Sequence, residues 1–230
     1  MRKLMKWYFG DWWKIMARPI YFYSFMEKGD VNDKPFSFLL VTSWILSFFI
    51  TVAVFALSLS QMMLSLIHGI YGVKLLIVFP VFALLVLIFF VMVFMIVLSA
   101  AAVGLMLMSA CVSWALGYLA ARAGGEGSVT EMVRSVYYST AAVLFLAAVP
   151  LLACAAKAGL MSFANFTAGT NMVLFVMVFY LWGLWSIALK KTFKLSRTKA
   201  LAATLFIIVL VLLLQMFASV KVIPQLERWI

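Results

Sequence analysis

Charge is scarce in this chain. Only 11% of its 230 residues are Asp, Glu, Lys or Arg, and just seven are acidic. Soluble domains carry about a quarter charged residues. That deficit, with 67% hydrophobic residues and a mean hydropathy of +1.17, excludes a soluble globular domain and a disordered chain. Cysteine is nearly absent. Cys111 and Cys154 both sit inside long apolar runs, as small buried residues do. A disulfide scaffold is therefore excluded, and no CxxC pair or Cys/His cluster offers metal ligation. The one histidine is His68, beside Gly69. No HExxH, paired intramembrane carboxylates or Ser/His/Asp set can be assembled, so neither an enzyme nor a cofactor is expected. Polar candidates at membrane depth are limited to Ser58, Ser60, Gln61, Ser65 and Gln215. Met1 is followed by Arg2, Lys3 and Lys6 but not directly by an apolar run, so no cleavable signal peptide is expected.

What the chain has is uncharged length. No Asp, Glu, Lys or Arg occurs over 35–73, 75–121, 135–156, 158–189 or 200–220. A helix crossing a ~30 Å hydrocarbon core needs roughly 20 apolar residues. The expectation is an all-α polytopic membrane bundle. A first segment, 1–35, precedes a single membrane domain over 36–230, with spans at about 36–60, 75–121, 135–156, 172–189 and 200–220. The second stretch is long enough for a helix of roughly 70 Å, and could cross once or twice. Charge bias decides. With one crossing and a cytoplasmic N-terminus, fourteen of the eighteen Lys and Arg lie inside and four outside; with two crossings the split is ten to eight. The positive-inside rule prefers the first, giving five crossings with the C-terminus outside. The surplus length, near Pro80, is expected to make 75–98 re-entrant or steeply tilted and packed on the first span.

The first seventeen residues read as an amphipathic helix. Lys3, Lys6, Gly10 and Lys14 repeat at helical spacing and Arg18 continues the line, while Leu4, Tyr8, Trp12 and Ile15 lie opposite. That pattern suits a helix in the headgroup plane, ended by Pro19. A polar linker follows at 27–35. Between the second and third spans, Gly124, Gly125 and Gly127 end one helix and Ser128 or Thr130 caps the next, with Glu131 as the reciprocal partner of Ser128. Ser109, Ser113, Gly117 and Ala121 recur every four residues, a small-residue stripe that lets another helix approach, within the chain or in a second copy. Lys190, Lys191, Lys194, Arg197 and Lys199 put five bases in ten residues without an acid. With Lys3, Lys6, Lys14 and Arg18 they form a candidate surface for anionic membrane lipid or an acidic partner. A nucleic-acid partner is not expected, because basic excess in a membrane protein reports cytoplasmic loops.

The order of these features resembles the Yip-one domain family, the Yip/Yif membrane proteins that interact with Rab GTPases. Pro19 with Phe22 and Phe25, then Pro35 with Phe36, resembles the family's entry to its first span. Gly124-Gly125-Glu126-Gly127-Ser128, then Tyr138-Ser139 and Pro150, is similar to the glycine-rich loop, Tyr-Ser and downstream proline of prokaryotic members. Trp182 and Trp185, followed by Ser196-Arg197-Thr198-Lys199-Ala200, resemble the fourth span and the start of the fifth. The resemblance implies five spans and a cytoplasmic N-terminus. Without the long N-terminal region of eukaryotic relatives, it points to a prokaryotic-type member in a bacterial inner membrane.

The expected function is a non-enzymatic membrane scaffold that organises partner proteins or membrane shape. The alternative is a small permease or lipid-transfer component with a groove between helices. Filled helix contacts under a basic face favour the first, and a continuous cavity favours the second.

Overall fold

The computed structural model describes residues 2–26, 34–69 and 73–228, with side chains over 5–26, 34–58 and 79–227. The linker at 27–33 and the side chains of Lys3, Ser60, Gln61, Ser65 and His68 lie outside the described residues.

The described residues are helical, with no strand among them. Helices α1 (Arg2–Ala17) and α2 (Pro19–Ser24) are followed by α3 (Lys34–Gly69) and α4 (Val73–Arg122). Then come α5 (Val129–Ser139), a 3₁₀ stretch (Thr140–Ala147), α6 (Ala148–Lys157), α7 (Phe163–Thr192) and α8 (Arg197–Lys221). Five runs are long and apolar enough to cross a membrane: Lys34–Ser58, Phe79–Arg122, Val129–Lys157, Phe163–Thr192 and Arg197–Glu227.

Two expectations are corrected. First, α4 is one unbroken helix of 50 residues. Pro80 stands inside the helix, where it removes one i to i−4 bond without ending it, so there is no turn to make the segment re-entrant. It does pack on α3, through Phe55 against Phe90 at 5.2 Å and Trp44 against Phe94 at 6.0 Å between ring centroids. Second, α7 begins at Phe163, well before 172, because the Ser162 hydroxyl accepts the Asn165 N–H and starts the helix there. The helix of the third run begins at Val129, as a cap at Ser128 requires, and so takes Glu131 and Arg134 in ahead of the uncharged stretch from 135.

The third run also changes pitch. Ser139 Oγ donates to the Val136 carbonyl at 2.7 Å and Thr140 Oγ1 to the Tyr137 carbonyl at 2.6 Å. Such i to i−3 side-chain bonds compete with the i−4 ladder, and the backbone tightens to 3₁₀ at that point. Ala141 and Ala142 are fully covered there. The main core gathers around Trp185, Phe38, Leu116, Met132, Leu184 and Leu189.

The apolar line of α1 meets protein. Tyr8 and Ile15 have no exposed surface. Tyr8 stacks on Phe38 at 4.6 Å and shares a 2.9 Å hydrogen bond with Thr42. Trp12 Nε1 donates to the Ala141 carbonyl at 3.1 Å, and Tyr180 donates its hydroxyl to the Met16 carbonyl. Phe9 and Trp13 remain exposed, as side chains facing headgroups would be.

Candidate functional site at the basic end of the bundle

Two loops meet where α4 and α7 end and α5 and α8 begin. The first closes α4. Gly124 takes φ +82°, the left-handed conformation that glycine adopts without a Cβ penalty. Gly125 N–H then bonds the Ala120 carbonyl at 2.9 Å and Gly124 N–H the Ala121 carbonyl at 3.1 Å, a Schellman closure. Ser128 caps α5, its hydroxyl accepting the Thr130 N–H at 3.2 Å. Of the two expected caps, Ser128 is therefore the one used.

The second loop, 193–196, lies directly on the first. Glu126 N–H donates to the Phe193 carbonyl at 3.1 Å. A Cβ on Gly127 would stand 2.4 Å from the Thr192 carbonyl oxygen, and one on Gly125 would stand 2.9 Å from Phe193 Cβ. These glycines serve close approach of two backbones, a use beyond ending a helix. Phe193 and Leu195 are buried under the contact. Lys194 holds φ +53° without being glycine, the left-handed residue just past the end of α7. Lys199 Nζ donates to the Ala123 carbonyl at 2.9 Å, so this base closes α4 as well as facing outward.

The other bases divide into two groups. Lys190, Lys191, Lys194 and Arg197 are exposed around the loop pair. Lys6, Lys14 and Arg18 are exposed on or beside α1, and Lys14 pairs with Asp11 at 3.1 Å. Helix α1 meets α7 at Tyr180, about three turns from Lys190 at 3.6 residues per turn. Among the described residues, α2 and its contacts on α5 and α7 connect the two.

The small-residue stripe is partly internal. Ser109, Ser113 and Gly117 are buried, whereas Ala121 is exposed and Ala120 is covered in its place. A Cβ on Gly117 would meet Val129 Cγ2 at 3.0 Å, so the partner of this stripe is α5. Ala100 and Gly104, which repeat the four-residue spacing upstream, are exposed.

The remaining motif residues hold helices together. Pro19 opens α2 and Pro35 opens α3, while Pro150 sits half-buried in the first turn of α6. Tyr138 is clasped by Phe22 at 4.9 Å and Phe38 at 5.3 Å. Trp185 Nε1 donates to Ser139 Oγ at 2.8 Å, and Trp182 Nε1 to Thr204 Oγ1 at 3.0 Å. The cavity beside Trp185, lined also by Ser109, Ser139 and Thr140, measures only about 10 Å³.

Sequence reasoning passed over Arg134, 7% exposed and the one buried charged residue among those described. Glu131, Arg134, Ser135 and Tyr138 fall at i, i+3, i+4 and i+7, a polar line on an α5 face that meets other helices. That spacing was the available signal. Arg134 lines a cavity of about 190 Å³ between α2, α5 and α7, with Tyr23, Glu131, Ser135, Lys191 and Thr192 around it. Tyr23 donates to the Ser135 carbonyl at 3.2 Å, and Ser135 Oγ to the Glu131 carbonyl at 3.0 Å. Burial, reinforced by the neighbouring Tyr180 and Tyr138 phenols, pushes the Tyr23 phenol well above its ordinary range. It therefore stays a neutral donor at physiological pH.

No known protein family, curated protein or solved structure matches the chain.

Proposed function

We propose that this chain is a non-enzymatic integral membrane scaffold that presents the paired loops at its basic end to anionic lipid or an acidic partner. The observation that carries the reading is the interlock of 124–128 with 192–195. Gly125, Gly127 and Phe193 fix two loops as one surface, and Lys190, Lys194 and Arg197 stand out from it. The filled interior around Trp185 supports a scaffold over a conduit, since about 10 Å³ is at or below the ~10–15 Å³ that one water occupies. We place the N-terminus and both loops on the cytoplasmic side of a bacterial inner membrane, as the charge split favours. The order of motifs resembling the Yip-one domain belongs to the same reading. Its glycine-rich loop and its Ser196-Arg197-Thr198-Lys199-Ala200 stretch lie together, joined by Lys199 to Ala123.

The test neutralises Lys190 and Lys194 to Gln, leaving Arg197 and Lys199 to keep orientation. At about 1 kcal/mol per base near an anionic leaflet, binding to anionic vesicles or to a cross-linked acidic partner should fall on the order of thirtyfold. Reporters after Ile230 and within 190–199 should read as external and cytoplasmic. Unchanged binding in a correctly oriented variant would leave the bases as topogenic signals alone.

One observation favours the permease or lipid-transfer reading. Asn171, Phe175, Gln215 and Ser219 line a groove of about 490 Å³ between α7 and α8, and Gln215 Oε1 is buried there without a partner. Lipid exchange by the purified chain in liposomes, lost in Gln215→Leu, would replace the scaffold reading.

A further inference from the structure

We infer that the cavity between α2, α5 and α7 is a binding site for a phosphate group. Its cations come from two elements. Arg134 approaches from the second turn of α5 and is more than nine-tenths buried, while Lys191 approaches from the last turn of α7 and is exposed. Glu131 is the only carboxylate among the described residues lining the cavity, so those residues carry one surplus positive charge. Among the described residues Lys191 has no ion-pair partner. A guanidinium offers a planar fork of donors matched to a phosphate's oxygens, and an ammonium adds a movable point charge.

The surrounding groups suit an anion with a polar head. Tyr23 and Ser135 occupy each other and the α5 backbone through the bonds already described, which fixes the wall that holds Arg134. Thr192 adds a hydroxyl at the rim, and Met26 and Ala188 make the rest of the wall apolar. At about 190 Å³ the space far exceeds the ~10–15 Å³ of one water in the same measure. It opens at the bundle end that carries the bases, where the headgroups of a surrounding bilayer would lie. The phosphate therefore comes from an anionic phospholipid headgroup or from a free phosphate ion, and the chemistry that holds it is the same. The inference does not depend on the scaffold reading, which is tested on Lys190 and Lys194.

The experiment uses the full chain, purified in uncharged detergent. Bound phosphatidylglycerol is counted against phosphatidylcholine by native mass spectrometry, with inorganic phosphate as competitor. The expected result is one preferentially retained phosphatidylglycerol, held about tenfold more weakly in Lys191→Gln and at least as much more weakly in Arg134→Gln, since a hydrogen bond to a charged group contributes about 1.5–3 kcal/mol. Displacement by inorganic phosphate assigns the site to the free ion, and retention against it assigns the site to the headgroup. Lys191 is exposed, so Lys191→Gln keeps its fold and reads the site even where Arg134→Gln does not. Equal retention of both lipids, or binding by Lys191→Gln as in the parent chain, overturns the inference. So does an equal loss in a Lys221→Gln control, an exposed base at the far end of α8 from the loop pair, which would assign the loss to total charge.

Discussion

At the scale of the residue, the glycines of the first loop separate two reasons for having no side chain. Gly124 is glycine for its φ of +82°. Gly127 is glycine because a Cβ would stand 2.4 Å from the Thr192 carbonyl oxygen, a backbone atom that cannot rotate away. Gly127→Ala should therefore part the loops and cost about 2 kcal/mol or more, within the range for overpacking with a backbone shift. Gly104→Ala is the control, since no atom outside its own turn lies within 4 Å of the added Cβ, and it should be neutral or slightly stabilising. Thermal unfolding in detergent measures both, and equal midpoints would show that the loop contact carries no stability. The helix-ending role of these glycines was legible from their position between two apolar runs. Their role under Phe193 was not, because it depends on a segment almost seventy residues away, and nothing local in 124–128 encodes what passes above it. Arg134 was hidden by a different cause. An uncharged run ends at the charge itself, whereas α5 starts earlier and buries that charge against α2 and α7.

At the scale of the element, α1 shows how far periodicity reaches. The spacing of Tyr8, Trp12 and Ile15 specified an apolar stripe, but a stripe does not say whether lipid or protein covers it. Here Thr42, Phe38 and the Ala141 carbonyl cover it. The carbonyl that Trp12 meets belongs to the 3₁₀ stretch 140–147, whose change of pitch follows the Ser139 and Thr140 back-bonds and is invisible to a hydropathy reading. Docking carries a pH signature. Desolvation by burial, opposed by the Thr42 hydrogen bond, pushes the Tyr8 phenol up from 10.0 to about 12. The neutral form is thus favoured when α1 is docked, and an undocked Tyr8 loses its proton first. This contribution is complete below pH 10 and is lost as pH rises from 10 toward 12. Protease cleavage within α1, followed against pH, should be flat through the neutral range and rise in that window. Tyr8→Phe should lower docking at neutral pH by about 1 kcal/mol, the worth of one hydrogen bond, and flatten this Tyr8-dependent rise. A rise in cleavage near pH 7 in the parent chain would contradict this account.

At the scale of the whole molecule, the governing relation is between the length of α4 and the thickness of a bilayer. Five apolar runs were legible because hydrocarbon forbids charge; how much of each run lies at which depth was not, because an unbroken apolar sequence carries no depth mark. The structure supplies one. Trp114 and Tyr118 stack at 6.2 Å on the outside of α4, and the Arg122 guanidinium lies 5.2 Å over Tyr118. An exposed Trp, Tyr and Arg in a column fit the headgroup level. Counting back roughly 20 residues, or ~30 Å, reaches the neighbourhood of residue 94. Val81, Leu84, Leu85, Leu87, Ile88 and Phe89 lie beyond it, each 49–62% exposed. At about 1.5–3 kcal/mol for removing each such side chain from water, leaving six of them in solvent would cost on the order of 10 kcal/mol even for partial exposure. A tilt well past the usual ~20° would remove that cost, by laying the helix's length along the hydrocarbon rather than through it, and that tilt is the expectation. Single cysteines at Val81, Leu85, Ile96 and Val103, in a chain carrying Cys111→Ala and Cys154→Ala, test this with a membrane-impermeant thiol reagent applied to native membranes. All four should stay unlabelled. Labelling at 81 and 85 with protection at 96 and 103 would mean that α4 stands upright and carries its apolar half into water.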